Sequence, residues 1–323
     1  MFDVLYSDQI GRPLKLPYSI ESVGLEYIFL AVYSKTPKNG KCIKMKLLVT
    51  GDNGYIGRHL AAALRKNGFE VVGLDLRHGA ADYETIDFDL TKPGLPKISG
   101  IDAVFHLAAD TECKNEDIAF NINVKGTEKM LDLAKKNRSV FVYTSTGGVY
   151  GFGKRPFKES DEPKPENVYA KTKIQAEELC RKYSAHFPVC ILRYFFPYGP
   201  GSDIRLVNRL VKKVQTGDTI EINIGGKPII NPVAMQDAIK VTIKSIGLEG
   251  FNIINIGGRE QVSVLDIINI IEGELGQKAK IRCNNKKVGD LVGDISKASE
   301  ILEFEPKIGL KQGIMNLISK TKP

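Results

Sequence analysis

The chain has 323 residues, 42% of them hydrophobic and 26% charged, and no apolar run approaches the ~20 residues needed to cross a bilayer, which fits a soluble globular protein of one large or two modest domains and excludes a membrane partner. Its formal charge of +8 is spread in short clusters such as Lys135-Lys136-Asn137-Arg138, with no stripe of basic and aromatic residues, so no nucleic-acid partner is expected. The five cysteines are scattered without a CxxC pair, which argues against a disulfide framework or a metal site and for a reducing cytoplasm.

Residues 1–26 are mixed and carry Asp3, Asp8, Arg12, Lys15, Glu21 and Glu26, unlike a signal peptide. The run Tyr27–Tyr33 predicts a strand, and Pro37-Lys38-Asn39-Gly40 then breaks the chain. Met45 stands immediately before the first regular strand, so residues 1–44 are expected to be an extension of the reading frame, outside the fold. From there apolar runs predict strands at 46–50, 70–75, 84–88, 102–107, 140–145 and 189–194, with helices near 55–67, 116–136 and 167–186. Alternation of this kind predicts an α/β fold, a doubly wound parallel sheet covered on both faces. Beyond Pro197 the alternation loosens among Gly/Pro-rich turns, although 251–257 reads as a strand that returns to the main sheet. The domain expectation is therefore a dinucleotide-binding unit over 45–196 and a smaller α/β substrate lobe mainly over 197–323.

Three glycines at three-residue spacing, Gly51, Gly54 and Gly57, lie at the first strand-to-helix turn. Such a turn lets the backbone approach a ligand closely and presents a helix N-terminus to a pyrophosphate. Asp75 ends the second strand about 20 residues beyond that glycine loop, where a carboxylate can bond an adenosine ribose. Tyr169 and Lys173 fall four apart, on one face of a predicted helix. An ammonium beside a phenol, together with a cationic nicotinamide ring, favours the phenolate and makes it a usable base. Upstream, Thr144-Ser145-Thr146-Gly147-Gly148 ends a strand on the edge where parallel sheets bind ligands.

These motifs resemble the extended short-chain dehydrogenases/reductases, in the branch of NAD-dependent sugar epimerases and dehydratases that includes the UDP-glucose 4-epimerases. The resemblance runs from Met45 to about Leu317 and also rests on Asp89-Leu90, His106-Leu107-Ala108-Ala109, Asn123-Val124-Lys125-Gly126-Thr127, Val149-Tyr150-Gly151, Leu192-Arg193, Tyr198-Gly199-Pro200 and Asp294–Ala298. It implies a Rossmann sheet and bound NAD rather than NADP. Gly51, Asn53, Gly54, Tyr55, Ile56 and Gly57 would pass the pyrophosphate, and Asp75 would hold the ribose. Asp89 and Leu90 would lie by the adenine, Leu107, Ala108 and Ala109 along the cofactor, and Asn123 would support the sheet. Tyr169 would be the base, Lys173 would bind the nicotinamide ribose and tune Tyr169, and Thr146 would bond the reacting hydroxyl. The implied substrate is a sugar or nucleotide-sugar, and the implied assembly a homodimer.

Departures from the pattern narrow the reading. Dehydratases of this branch carry Asp-Glu after the catalytic Thr; here Gly147 and Gly148 stand there, which sets dehydration aside. Phe196 occupies the place usually held by Asn, and Ile230 falls where an Arg commonly grips a nucleotide diphosphate. Arg205, Arg209 and Lys227 are the cations that could compensate. The expected activity is epimerisation through a keto intermediate. An NAD(P)-dependent reductase or dehydrogenase of a keto sugar or related carbonyl, and a non-catalytic dinucleotide sensor, are the alternatives.

Overall fold

The computed structural model describes residues 44–78 and 81–321. The expectations that fall on residues 1–43, including the strand over 27–33, lie outside the described residues.

Seven parallel strands form the central sheet: β1 (Lys46–Thr50), β2 (Glu70–Asp75), β3 (Glu84–Asp87), β4 (Ala103–His106), β5 (Val140–Thr146), β6 (Val189–Tyr194) and β9 (Phe251–Ile256), in the order β3-β2-β1-β4-β5-β6-β9. The apolar runs are continuous because these strands are covered on both faces: all six residues of β6 are buried, as are all four of β4. The order reverses between β1, paired with β2 on one side, and β4 on its other side. Ligands collect in the crevice that such a reversal opens at the carboxyl ends of the strands. The segment expected to return to the sheet contains β9, which pairs in parallel with β6.

Helix α1 (Tyr55–Lys66) follows β1 and buries Gly57, Leu60, Ala61 and Leu64. The single helix expected over 116–136 is instead three pieces: α2 (Glu116–Phe120), a π-helical turn over Asn121–Lys125, and α3 (Gly126–Asn137). The π turn rotates the helix where Asn123 must face inward, and such turns gather at functional sites. Asn123 accepts from the Asp110 N–H at 2.7 Å and donates to the Asp110 carbonyl and to Thr172 Oγ1, tying the loop after β4 to the next long helix. That helix is α4 (Val168–Tyr183), capped by the Asn167 side chain on the Ala170 N–H.

Beyond β6 come α5 (Leu206–Thr216), β7 (Thr219–Ile222), β8 (Ile229–Ile230) and α6 (Met235–Lys244). After β9 come β10 (Val262–Ser263), α7 (Val264–Leu275), β11 (Lys280–Cys283), α8 (Ser296–Leu302) and α9 (Leu310–Thr321). Two two-stranded sheets, β10-β8 and β11-β7, belong to this part. A separate apolar cluster unites it, including Leu210, Ile230, Ile267, Ile271, Ile314 and Leu317, while another, including Leu48, Val72, Val104, Met130 and Phe141, lies against the main sheet.

Candidate active site

A cavity of about 880 Å³ runs along the carboxyl edge of the sheet, and its wall takes residues from the β1, β2, β4, β5 and β6 ends and from the segment before α5. Of the residues expected from sequence, Gly51, Gly54, Tyr55, Ile56, Gly57, Asp75, Asp89, Leu90, Leu107, Ala108, Ala109, Thr146, Tyr169, Lys173, Phe196 and Arg205 all lie on this wall. Asn53, Arg209 and Lys227 do not.

The glycine turn is built for close approach. Gly51 has φ +70°, and a Cβ there would sit 2.7 Å from the Ala108 nitrogen. At Gly57 a Cβ would come within 1.9 Å of the Gly51 carbonyl oxygen, so α1 packs directly onto the turn. The α1 N-terminus has no side-chain cap and no acid in its first turn, and Gly54, Tyr55 and Ile56 face the cavity. Uncapped N–H groups at a positive dipole end suit a pyrophosphate. Asn53 staples the turn instead of lining it: its backbone N–H donates to Asp75 at 3.3 Å and its side chain to the Arg77 carbonyl at 3.1 Å. Asp75 is held by these contacts and by the Leu76 N–H at 2.7 Å, with its carboxylate on the wall. Asp89 accepts from the Thr91 hydroxyl and N–H, which hold its carboxyl below the usual range.

At the other end, α4 puts Tyr169 in its first turn and Lys173 one turn later. The Lys173 ammonium is buried, donates to the Thr144 carbonyl at 2.8 Å, and lies 4.5 Å and 5.7 Å from the Tyr143 and Tyr169 ring centroids. Burial pulls its pKa down to about 8. Burial also pushes the Tyr169 phenol up to about 12, against the nearby positive charge of Arg205. The Thr146 hydroxyl accepts from the Gly148 N–H at 3.1 Å, which leaves its own hydrogen to donate into the cavity. His106, beneath the site, is fully buried; burial lowers its pKa to about 3, so it is neutral and bridges Thr50 and Thr127.

Three features were not legible from the motifs. Glu177, one turn beyond Lys173, forms a buried two-pronged ion pair with Arg193, at 2.5 and 3.1 Å, and accepts from Ser145 Oγ at 2.5 Å. This ties the helix that carries Tyr169 to the two strands beneath it. Phe195 packs against Gly147 and Gly293, where an added Cβ would meet its ring at 2.5 Å in each case. No acid fits at Gly147, which agrees with setting dehydration aside. Phe196 adopts φ +46°, a conformation that costs a non-glycine residue of order 1–3 kcal/mol.

The diphosphate end differs from the sequence expectation. Ile230 is fully buried in the apolar cluster of the second lobe. Lys227 is spent on Asp290, at 2.8 and 2.9 Å from its two carboxylate oxygens, and Arg209 projects from α5 as an exposed side chain. Among the described residues no group of three or more His, Cys, Asp or Glu could hold a metal ion, and no helix is long and apolar enough to cross a membrane.

The sequence matches the model of the NAD dependent epimerase/dehydratase family over residues 47–257. It is 30% identical to a UDP-glucuronate 4-epimerase of Thermodesulfobacterium geofontis, over 85% of this chain and 95% of that one. It is 29% identical to a UDP-N-acetyl-alpha-D-glucosaminuronate decarboxylase of Bacillus cytotoxicus, over 85% of this chain and 97% of that one. Among solved structures it is similar to UDP-glucuronic acid 4-epimerase from Bacillus cereus in complex with UDP-glucuronic acid and NAD, with 31% identity, TM-score 0.78, and coverage of 85% of this chain and 98% of that one.

Proposed function

This chain belongs to the NAD dependent epimerase/dehydratase family, and on that premise we propose that it epimerises a nucleotide-linked sugar at C4 with NAD as a retained cofactor. The observation that carries the reading is the convergence of Thr146, Tyr169 and Lys173 on the cavity that also holds the glycine turn and Asp75. The names of the relatives support C4 and a UDP-sugar.

The residues present fit a dinucleotide: an uncapped helix end, a turn with no room for side chains, and a carboxylate 24 residues past Gly51 along one wall. When bound, NAD would accept a hydride from the sugar carbon and return it. Thr146 orients the sugar hydroxyl by donating a hydrogen bond to it. Tyr169 removes the hydroxyl proton and later gives it back. With the phenol raised by burial, a cationic neighbourhood has to lower it: Arg205 supplies positive charge, and the Lys173 ammonium lies 5.7 Å from the ring centroid. Among the described residues the Lys173 ammonium donates to the Thr144 carbonyl, and its remaining N–H groups can hold a ribose hydroxyl.

The test is to incubate purified enzyme with UDP-glucuronic acid and with UDP-glucose, without added cofactor, and follow the sugar protons by NMR. A C4 epimer should form with no net NADH and no released carbon dioxide, and denaturation should release bound NAD(H). A protein that turns over only with added cofactor and reduces a carbonyl would make it a reductase instead. Release of carbon dioxide would make it a decarboxylase.

A further inference from the structure

Three side chains on one face of α1 hold a segment that follows β6. Tyr55, Arg58 and His59 fall at the i, i+3 and i+4 positions of the helix, which share a face. The Tyr55 hydroxyl donates to the Gly199 carbonyl at 2.9 Å, His59 Nε2 to the Pro200 carbonyl at 3.0 Å, and the Arg58 guanidinium to the Gly201 carbonyl. One helix thus takes up three consecutive carbonyls. From the other side, Asn208 of α5 donates to the carbonyls of Gly199, at 2.6 Å, and Ser202, at 2.7 Å. Gly201 has φ +90°, and an added Cβ would meet the Arg58 guanidinium at 3.2 Å, so the backbone there is shaped to the contact.

The segment joins distant parts of the cavity. It leaves β6, whereas α1 follows β1, three positions away in the sheet. Its flanks, Pro197 on one side and Ile204, Arg205 and Leu206 on the other, line the cavity; residues 199–201, Arg58 and His59 do not. The bonded middle is a strap fastened behind the wall, and its ends form part of that wall. Tyr55 belongs to both: it is the first fastening, and it faces the cavity at the uncapped helix end that suits a pyrophosphate. Ile204, where the strap rejoins the wall, is 69% exposed, an apolar side chain that a bound molecule would cover.

We propose that Arg58 and His59 are positioning residues for the cofactor: by fastening the strap they keep the dinucleotide in the cavity between the two hydride transfers, and the strap opens for NAD to enter or leave. This rests on the retained-cofactor reading above. Loss of the reduced dinucleotide after the first transfer would strand the keto sugar, so retention is part of the chemistry. The bonds that fasten the strap are all between protein groups, so they close it in the free protein as in the loaded one. Weakening them eases opening equally in both states. Entry and exit then speed up together while affinity stays. A residue that contacts the cofactor itself would change exit and affinity instead.

The test uses the enzyme as purified. Exchange of its bound NAD for deuterium-labelled NAD is followed by mass spectrometry, and uptake of NAD by stripped protein is followed in parallel. Wild type is compared with Arg58→Ala, His59→Ala, the double variant and Arg58→Lys. Arg58 is exposed and His59 half-buried, so neither change opens the core. Loss of one bond should speed exit and entry roughly 3- to 10-fold, and loss of both roughly 10- to 100-fold, with the dissociation constant within a few-fold. Arg58→Lys keeps a donor and should stay near wild type. A merely structural role would lower the urea midpoint of the NAD-free variants and leave both rates unchanged. Unchanged rates in the double variant overturn the proposal. Faster exit with weaker affinity and unchanged entry also overturns it, and makes the two residues ordinary cofactor contacts. A wild type that exchanges NAD within seconds removes the retained-cofactor reading and the strap with it. Slow exchange that depends on residues 58 and 59, in a protein that inverts no sugar, would leave the strap standing and remove the epimerase reading. Epimerisation with NAD exchange indifferent to both residues would do the reverse.

Discussion

Tyr169 is held by burial in the state that cannot act as a base, its pKa pushed up to about 12 against the positive charge of Arg205. In the proposed mechanism its phenolic oxygen would supply proton transfer, whereas the glycine turn and Asp75 would supply most of the dinucleotide contacts. Tyr169→Phe should therefore abolish turnover and leave NAD affinity within a few-fold, measured by epimer formation and by titration of the stripped protein. Activity near the wild-type level would remove the phenol from the mechanism. Asp75 makes the complementary case. Its carboxylate is fixed by the Leu76 and Asn53 N–H groups and faces the cavity, so a 2′-phosphate would meet a negative charge. NAD should bind the stripped protein at least about tenfold tighter than NADP, a difference of about 1.4 kcal/mol. Equal or tighter NADP binding in the same titration would show that Arg77 has reversed the preference.

The connections between elements depend on ion pairs that no local pattern announces. Glu177 and Arg193 are sixteen residues apart, on α4 and β6, and the pair joins the helix of Tyr169 to the strand beside Thr146. Glu177→Gln would leave Arg193 buried without its counter-charge, an expected loss of about 3–5 kcal/mol in urea unfolding of NAD-free protein. A loss below about 1 kcal/mol would mean that Tyr150, which accepts from Arg193 at 2.7 Å, satisfies it alone. A second network holds the glycine turn: His78 bridges the buried Asp52, at 2.9 Å, and Asp87, at 2.7 Å, and Tyr83 donates to Asp52. Burial lowers the His78 pKa, but hydrogen bonds to Asp87 and Asp52 outweigh it and the net shift is upward. A raised folded-state pKa gives a stabilisation that is complete below the unfolded value near ~6.5 and is lost as pH rises through the folded value. The stability gap between wild type and His78→Gln should thus be widest in mild acid and narrow as pH rises through the folded value; a gap constant with pH would show that His78 is held neutral.

At the scale of the whole molecule, legibility followed the range of the interactions. Strands β1, β2, β5 and β6 are continuous apolar runs because both faces are buried, and the glycine turn, Asp75 and the Tyr169–Lys173 spacing are local signals. The π turn at Asn121–Lys125 is hidden inside an uninterrupted helical pattern. Neutralisation of Lys227 by Asp290 spans 63 residues, and burial of Ile230 depends on β10, so neither could be read from the positions themselves. The cavity wall combines two kinds of region: the sheet edge, up to Phe196, and the segments beyond it, with Arg205 and Leu291. A ligand filling it stabilises only the folded arrangement of both. If NAD is present at about 1,000 times its dissociation constant, the gain is about 4.1 kcal/mol. For a chain of this length that corresponds to a melting temperature higher by on the order of 5–10 °C. Stripping the cofactor should lower the melting temperature by that amount, NAD should restore it, and NADP should restore less. A melting temperature indifferent to stripping would mean that the dinucleotide exchanges freely, the behaviour of a reductase rather than of an enzyme that keeps its hydride carrier through both half-reactions.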